Sequence, residues 1–261
     1  MLVTLMKGVS MRYALVNNQK LEAQPNLLGS CTYCEKPMTS KCGEKNIWHW
    51  AHKSKRICDS WWENETEWHR TWKSHFPVEW QEIIQHADDG EKHIADVKTD
   101  QDLVLEFQHS QIMPEERLAR ENFYKKILWI VDGKRRLRDK IKFFDEIEFT
   151  SCVDGRDDNR ILNVLRSTLL CEWSESNVPV FFDFGEDTLW CLLPKNTAEM
   201  RYLFRVDREV LLASLISDLR PNNRLEGLLR NWRGLAAKNE WHHKRNMEER
   251  QDPFRFLVRR R

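Results

Sequence analysis

The sequence predicts an α/β protein with a mixed sheet flanked by helices, preceded by a zinc-binding module and followed by an α+β region. Residues 64–131 show the order helix, three strands, helix, strand, which builds a mixed sheet. Residues 26–55 are rich in Cys, His, Gly and Lys and lack hydrophobic periodicity, so something other than an apolar core must hold them. Beyond residue 149 the pattern changes. The predicted regions are 1–60, 61–150 and 151–261, the last with a basic tail.

Composition places the chain among soluble globular proteins. Of its 261 residues, 41% are hydrophobic and 32% are charged. No apolar run is long enough to span a bilayer, and residues 1–10 lack a convincing signal-peptide cleavage site, so we expect a cytoplasmic protein with no membrane partner. Seven cysteines, an odd number, indicate metal ligands and buried thiols rather than a disulfide framework.

The first elements are predicted from local signals. Strands are expected at Tyr13–Val16 and Lys20–Ala23, on either side of a turn at Asn17-Asn18. A helix is expected over Asn64–Phe76, because large aromatic side chains recur every four residues along it. Asn64 is its predicted N-cap.

The later elements follow in two groups. The predicted core continues with four strands and one helix: Val78–Gln85, Ile94–Val97, Leu103–Gln108 and Ile127–Val131, with the helix at Pro114–Lys126. The C-terminal region is predicted to hold two helices, a hairpin, a break and a partly helical end: Asn159–Trp173, Arg208–Leu219, Val178–Phe184 with Leu189–Leu193, Pro221, and Leu225–Arg261.

Four residues of the polar segment have the spacing of zinc ligands. Cys31 and Cys34 form a short knuckle, and His49 and His52 follow on one turn or a short helix. Two thiolates and two imidazoles make a closed tetrahedral set, which is how structural Zn²⁺ is bound. Cys42 and Cys58 remain open as replacements for one or both histidines.

Carboxylates on two predicted strands indicate a second kind of metal site. Glu106 and Gln108 are two residues apart, so they point to one face of their strand, and Asp96 lies on the preceding strand. A carboxylate within an apolar strand is costly unless it is paired or binds a metal. Oxygen ligands of this type suit Mg²⁺ or Mn²⁺.

The helix before the sheet offers further groups to this site. Glu65, His69 and Lys73 are spaced by four, so they line one helix face and could aim Glu65 and Lys73 at the metal end of the strands. We expect His69 to be a packed or capping histidine rather than a general base. Because the helix register is inferred from sequence, Glu67 is the alternative to Glu65.

Charge is distributed unevenly although the net charge is only +1. The run from Lys125 to Lys142 is strongly basic and includes Arg135 and Arg136, which are candidates for contacts with phosphate groups. Such contacts give salt-dependent affinity without sequence preference.

The motifs together resemble the competence protein CoiA-like family over about the first half of the chain. They occur in the family's order: Tyr13-Ala14-Leu15, Gly29-x-Cys31-x-x-Cys34, His49-Trp50-Ala51-His52, Glu65-Thr66-x-x-His69-x-x-x-Lys73, Ala95-Asp96-Val97, Glu106-Phe107-Gln108-x-Ser110 and Arg120-x-x-x-Tyr124. That family is similar to the PD-(D/E)XK nuclease superfamily. The resemblance therefore implies a restriction-endonuclease-like fold for residues 61–150.

The resemblance also implies roles for individual residues. Asp96 and Glu106 are expected to bind Mg²⁺ or Mn²⁺, with Glu65 as the helix carboxylate. Arg120 and Tyr124 are expected near the site and in contact with nucleic acid, although a salt bridge within its own helix is an equal alternative for Arg120. Gln108 stands where the superfamily usually has lysine, so either Gln108 suffices, Lys73 takes the electrostatic role, or the site is weakened.

The function expected from these features is hydrolysis of DNA phosphodiester bonds, in single- or double-stranded DNA, by a Mg²⁺-dependent nuclease. DNA uptake, recombination and defence against foreign DNA are the candidate roles. The alternative is a non-catalytic zinc-containing nucleic-acid-binding protein with a degenerate nuclease fold. A third reading is an interaction scaffold, since the C-terminal region has no catalytic set and could bind a protein partner or form a homo-oligomer.

Overall fold

A computed structural model describes residues 10–53, 58–61, 63–162, 165–195, 198–216 and 224–251, with side chains described up to residue 248. The chain divides into two compact units, Met1–Ile127 and Leu128–Arg261. The region boundaries expected near residues 60 and 150 stay predictions. The predicted break at Pro221 and the end of the basic tail lie outside the described residues.

The first unit begins with a small antiparallel sheet. Its six strands in the described part of the chain are β1 (Ser10–Met11), β2 (Tyr13–Val16), β3 (Gln19–Glu22), β4 (Leu28–Ser30), β5 (Pro37–Lys41) and β6 (His49–His52), in the order β1-β6-β5-β4-β2-β3. The predicted first hairpin is confirmed. Asn17 and Asn18 have φ of 50° and 63°, the left-handed conformation that a two-residue hairpin turn requires. The sheet contributes Met11, Met38 and Trp50 to a small hydrophobic core.

The second part of the first unit carries the predicted carboxylates. It comprises α1 (Glu67–Lys73), β7 (Gln81–His86), β8 (Lys92–Lys98), β9 (Val104–Gln108) and α2 (Pro114–Tyr124). Strands β9, β8 and β7 lie side by side in that order and are antiparallel. Phe107 of β9 stacks on Trp72 of α1 with ring centroids 5.9 Å apart, so the aromatic stripe of the helix packs on the sheet as its spacing predicted.

Helix α1 is shorter than predicted, and Asn64 is not its N-cap. The N-cap is Thr66, whose hydroxyl accepts a hydrogen bond from the His69 N–H, while the His69 ring accepts from the Thr66 N–H. This reciprocal capping box satisfies two backbone donors and sets the helix start two residues later. It also confirms His69 as a capping histidine.

The second unit is a mixed α/β structure. In its described residues it contains β10 (Ile127–Asp132), α3 (Asp139–Glu148), β11 (Ser151–Cys152), β12 (Asn159–Leu162), α4 (Thr168–Trp173), β13 (Val180–Asp183), β14 (Thr188–Leu192), β15 (Arg201–Asp207), α5 (Arg208–Ile216) and α6 (Arg224–Gln251). The strand order is β11-β12-β15-β14-β13-β10. Strands β10 and β13 are parallel and the other pairs are antiparallel, so the predicted α/β class is confirmed. The parallel pair joins the predicted core to the predicted C-terminal region, and the restriction-endonuclease-like sheet of residues 61–150 stays a prediction.

One C-terminal prediction is wrong. The helix expected over Asn159–Trp173 is strand β12 followed by the short helix α4. Pairing with β15, with Asn159 opposite Phe204, determines the conformation of the first part, and local periodicity does not carry that information. Among the helices that the structure describes, none is long and apolar enough to cross a membrane.

Candidate functional site

Four side chains of the first unit converge near the N-terminal sheet. Cys31 and Cys34 lie on the tight turn after β4, His52 ends β6, and Cys58 follows in the chain. Their ligand atoms all lie within 4.8 Å of one another. Cys31 Sγ and Cys58 Sγ are 3.8 Å apart, and Cys34 Sγ lies 3.3 Å from His52 Nε2.

This cluster fits a zinc ion. Sulfur ligands about 2.3 Å from zinc span tetrahedral edges of about 3.8 Å, which matches the Cys31–Cys58 separation. A hydrogen bond from the Cys58 thiol lowers the pKa of Cys31 to about 5, which favours the thiolate form that binds metal. Three thiolates and one imidazole form a closed set, which is typical of a structural zinc site.

Cys58 rather than His49 completes the cluster. The predicted His49–His52 pair lies on strand β6, not on a turn or helix. Residues three apart on a strand point to opposite faces, so both rings cannot reach one ion. His49 Nδ1 lies 2.8 Å from the Ile47 carbonyl oxygen instead. Of the two open alternatives, Cys42 is outside the cluster and Cys58 is in it.

A second group of polar side chains lines a small cavity in the same unit. The cavity has a volume of ≈ 20 Å³, room for about one water molecule or ion. The lining includes Trp61, Glu63, Glu65, His69, Lys73, Ile94, Asp96, Glu106, Phe107 and Arg120. Five of the predicted site residues, Glu65, Lys73, Asp96, Glu106 and Arg120, are therefore brought together.

Asp96 and Glu106 face each other across strands β8 and β9. The register pairs Val97 with Leu105, which places residue 96 opposite residue 106. Each carboxylate accepts a backbone N–H of the partner strand: Asp96 Oδ2 from Phe107 at 3.0 Å, and Glu106 Oε1 from Asp96 at 3.3 Å. These bonds orient both side chains without using all of their lone pairs.

Lys73 is the buried cation of the cavity. Its side chain is 1% exposed, and its Nζ lies 3.0 Å from Asp96 Oδ1, 3.3 Å from Glu65 Oε1 and 3.4 Å from Glu82 Oε1. Burial opposes the charge, but the three carboxylates outweigh it and raise the pKa of Lys73 above its usual value. The ammonium is therefore a fixed positive charge beside Asp96.

At Glu106, unlike at Lys73, burial outweighs the opposite charge nearby and favours the neutral form. Burial, together with the negative charge of Asp96, raises the pKa of Glu106 to about 8, although Arg120 opposes the shift. The Arg120 guanidinium donates to Glu106 Oε2 at 2.9 Å. For Asp96, burial is outweighed by Lys73, and its pKa is lowered. The two facing carboxylates thus have pKa values pushed in opposite directions.

Glu65 reaches the cavity from just before α1 rather than from within it. Its side chain is 2% exposed, and Arg70 Nε donates to its Oε2 at 2.9 Å while Oε1 faces Lys73. Glu67, the alternative to Glu65, is exposed on the first turn of the helix. The structure therefore places Glu65, not Glu67, at the cavity.

Two carboxylates near the cavity, the partly buried Glu63 and the buried Glu82, were not predicted from the sequence. Glu63 lines the cavity, and although burial opposes its charge, contacts with His69 and then with Ser110 lower its pKa. Glu82 lies on β7 opposite Asp96 and accepts the backbone N–H groups of Arg12 and Tyr13. The run Glu63-Asn64-Glu65 carried some signal for Glu63, whereas no local pattern identified Glu82.

Gln108 does not line the cavity. Its amide nitrogen lies 3.1 Å from Glu63 Oε2 and 3.2 Å from the Ser110 carbonyl oxygen, so both of its N–H groups have acceptors. Gln108 thus holds Glu63 and the following loop in place.

The ring of His69 is also engaged within the protein. Because His69 Nδ1 accepts from the Thr66 N–H, His69 Nε2 carries the proton and donates to the Phe107 carbonyl at 3.0 Å.

The predicted nucleic-acid contacts are mostly engaged within the protein. Arg120 is buried against Glu106 and also pairs with Glu116 of its own helix, which is the alternative expected for it. Tyr124 is buried and packs edge-on against Trp61 and Phe123. In the second unit, Arg135 and Arg136 both bind the carboxylates of Asp139 and Glu172.

The cavity suits a hard cation by donor type and charge, but its donors do not form a closed set. In the described part of the chain, the Cys–His cluster is the one close group of His, Cys, Asp and Glu ligand atoms. Around the cavity, five carboxylates face three basic side chains: Glu63, Glu65, Glu82, Asp96 and Glu106 against Arg70, Lys73 and Arg120. The raised pKa of Glu106 keeps a proton on that carboxyl group at neutral pH, and a divalent cation bound there would displace this proton.

The N-terminal part of the chain is similar to a known family. Residues 17–60 match the family model described as Competence protein CoiA, N-terminal domain. The matched segment contains all four residues of the Cys–His cluster, and it supports the resemblance to the CoiA family. No curated protein and no solved structure matches the chain. The cavity residues from Glu63 onward lie outside the matched segment.

Proposed function

We propose that the first unit is a metal-dependent nuclease that hydrolyses phosphodiester bonds of DNA on a restriction-endonuclease-like core of the PD-(D/E)XK type. The observation that carries the proposal is the facing pair Asp96 and Glu106, in a cavity shared with the buried Lys73. Shifted pKa values of opposite direction in facing carboxylates are a feature of functional sites and support this proposal.

Asp96 and Glu106 would hold one Mg²⁺ or Mn²⁺ ion, with Glu63 and Glu65 near enough to hold its water ligands. The bound ion supplies a water of lowered pKa and a positive charge for a phosphate oxygen. Lys73 supplies the fixed charge that the superfamily places at the position of Gln108, because its Nζ contacts Asp96 directly. Arg120 keeps Glu106 oriented through its charged hydrogen bond.

The match to a competence-protein family supports DNA as the proposed substrate. A competence protein acts where a cell takes up DNA, so we propose handling of incoming DNA as the biological role. The Cys31–Cys34–His52–Cys58 cluster would hold structural zinc and stabilise the module in front of the nuclease core.

The test compares two aspartates of the same hairpin. Asp96→Asn removes a proposed metal ligand, whereas Asp102→Asn changes an exposed aspartate at positive φ, a conformation that asparagine tolerates. With labelled single- and double-stranded DNA and Mg²⁺ or Mn²⁺, we expect Asp96→Asn to lower cleavage by about 10²-fold or more. Asp102→Asn should cleave like the parent protein. Cleavage that survives Asp96→Asn would overturn the assigned site.

The second candidate is a nucleic-acid-binding protein with a degenerate nuclease fold. The hydrogen bonds that the Gln108 amide donates to Glu63 and Ser110 favour this second candidate, because the amide then cannot orient a nucleophile. Binding of DNA in a gel-shift assay, without cleavage of any DNA or RNA in Mg²⁺ or Mn²⁺, would favour this candidate over the nuclease.

A further inference from the structure

Cys58, the fourth member of the metal cluster, is followed directly by a buried carboxylate. Asp59 is 1% exposed. Its Oδ2 accepts the Ile94 N–H at 2.7 Å, and its Oδ1 lies 2.8 Å from His93 Nδ1. Ile94 lies two residues before Asp96 on strand β8. The residue next to a metal ligand therefore fixes the strand that carries the cavity carboxylate.

The residues that follow Asp59 continue into the cavity wall. Asp59 Oδ1 also accepts the Trp61 N–H at 3.0 Å, and the Trp61 carbonyl accepts from Arg120 Nη2 at 2.5 Å. Arg120 in turn donates to Glu106. Glu63 then accepts the Ser110 N–H beyond β9. The described residues 58–61 and 63 thus contact both strands of the carboxylate site.

We propose that Asp59 is a positioning residue that transmits metal binding at the Cys31–Cys34–His52–Cys58 cluster to the carboxylate cavity. A bound zinc ion fixes Cys58, and one peptide unit further the Asp59 carboxylate holds the backbone of β8 and of Trp61. Without the ion, Cys58 keeps only its 3.8 Å thiol contact with Cys31, so the anchor of Asp59 is weaker. The catalytic consequence rests on the proposed nuclease function, whereas the structural coupling does not.

The first experiment measures amide hydrogen exchange, which does not depend on nuclease activity. The full-length protein is compared with Cys58→Ser and with the matched control Cys42→Ser, a cysteine of the same module outside the cluster. We expect Cys58→Ser, and chelation of zinc from the parent, to speed exchange of the Ile94 and Ser110 amides by about tenfold or more. Cys42→Ser should leave both rates unchanged. Unchanged exchange at Ile94 and Ser110 in Cys58→Ser would overturn the proposal.

The second experiment separates Asp59 from the metal itself. Asparagine keeps one acceptor oxygen, so in Asp59→Asn at least one of the Ile94 and Trp61 amides loses its partner. The exposed Asp89, which accepts the Glu91 N–H in the turn before β8, gives the control Asp89→Asn. We expect Asp59→Asn to retain stoichiometric zinc and to speed exchange at Ile94 or Trp61. Loss of zinc from Asp59→Asn, or unaltered exchange, contradicts the proposed role.

Enzyme kinetics then distinguish positioning from a general loss of structure. If the nuclease function holds, Asp59→Asn should lower kcat by about tenfold with little change in KM, because substrate contacts remain while the carboxylates are displaced. A rise in KM alone would contradict it. If the parent cleaves no nucleic acid, the proposed function fails, and the exchange and zinc measurements still decide the coupling.

Discussion

Lys73 is the residue on which the charge balance of the carboxylate site depends. Its Nζ lies within 3.4 Å of three carboxylates, and its side chain is almost completely buried. The spacing of Glu65, His69 and Lys73 predicted that this lysine would face the site. The carboxylate of Glu82, which completes the set, comes from a strand that no helical periodicity can indicate.

Replacing Lys73 should therefore be costly. Lys73→Met keeps most of the volume but removes the buried cation that Glu65, Glu82 and Asp96 share, so we expect the free energy of unfolding to fall by about 3–5 kcal/mol. The control is Lys98→Met, whose partner Asp102 is exposed, with an expected loss of about 0–1 kcal/mol. Urea denaturation measures both. Equal losses in the two variants would show that Lys73 is not the compensating charge.

Glu106 should make stability depend on pH. Its pKa rises from 4.5 to about 8 on folding, so between these values the folded state holds a proton that the unfolded state releases. The contribution of this group is therefore fully present below about pH 4.5 and is lost as the pH rises towards 8. Over this range the free energy of unfolding should fall with a slope that approaches about 1.4 kcal/mol per pH unit. The variant Glu106→Gln should remove this pH dependence. Denaturation from pH 5 to 8 with a chelator present measures the slope, and identical slopes in parent and variant would contradict the assignment.

At the scale of elements, the conformation of a segment decides which of its side chains can act together. The prediction for His49 and His52 assumed that both lie on a turn or a helix, where residues three apart lie on the same side. Strand β6 pairs with β1 and β5, and in the extended conformation the two rings diverge. In the same way, the pairing of β8 with β9 brings Asp96 opposite Glu106, as the sequence predicted.

The two histidines of β6 form a matched pair for experiment. His52→Ala removes a cluster member and should abolish stoichiometric zinc binding, whereas His49→Ala should retain it. Metal content by mass spectrometry, and the absorption spectrum after cobalt substitution, report the result. Retention of zinc by His52→Ala together with its loss from His49→Ala would restore the ligand set expected from spacing.

At the scale of the whole molecule, part of the basic run from Lys125 to Lys142 is neutralised by carboxylates of the described residues. The net charge is +1, and Arg135 and Arg136, which were expected to contact phosphates, are paired with Asp139 and Glu172. Their role in DNA binding stays a prediction. Both arginines belong to the second unit, whereas both candidate sites belong to the first.

Zinc should contribute to the stability of the whole chain, because a small polar module gains from the metal what it cannot gain from burial. Chelation is expected to lower the melting temperature by about 5–10 °C, and added zinc, but not magnesium, should restore it. Scanning calorimetry measures the shift. No change on removal of stoichiometric zinc would mean that the cluster does not stabilise the fold.

The sequence by itself determined the first hairpin, the order of helices and strands from α1 through β10, and several residues that meet at the two candidate sites. Cys31, Cys34, Asp96, Glu106 and Lys73 were identified because short-range periodicity and composition report local geometry. The same signals placed Glu65 beside Lys73, although the helix starts two residues later than predicted.

Only the tertiary structure determined which residues belong to each candidate site. Cys58 replaced His49 because strand pairing, not spacing, sets the direction of the β6 side chains. Glu63 and Glu82 joined the carboxylate site, and Gln108 was turned towards Glu63, through contacts between segments distant in sequence. Such contacts depend on how strands and loops pack in three dimensions, and a pattern within a dozen residues of sequence carries no record of that packing.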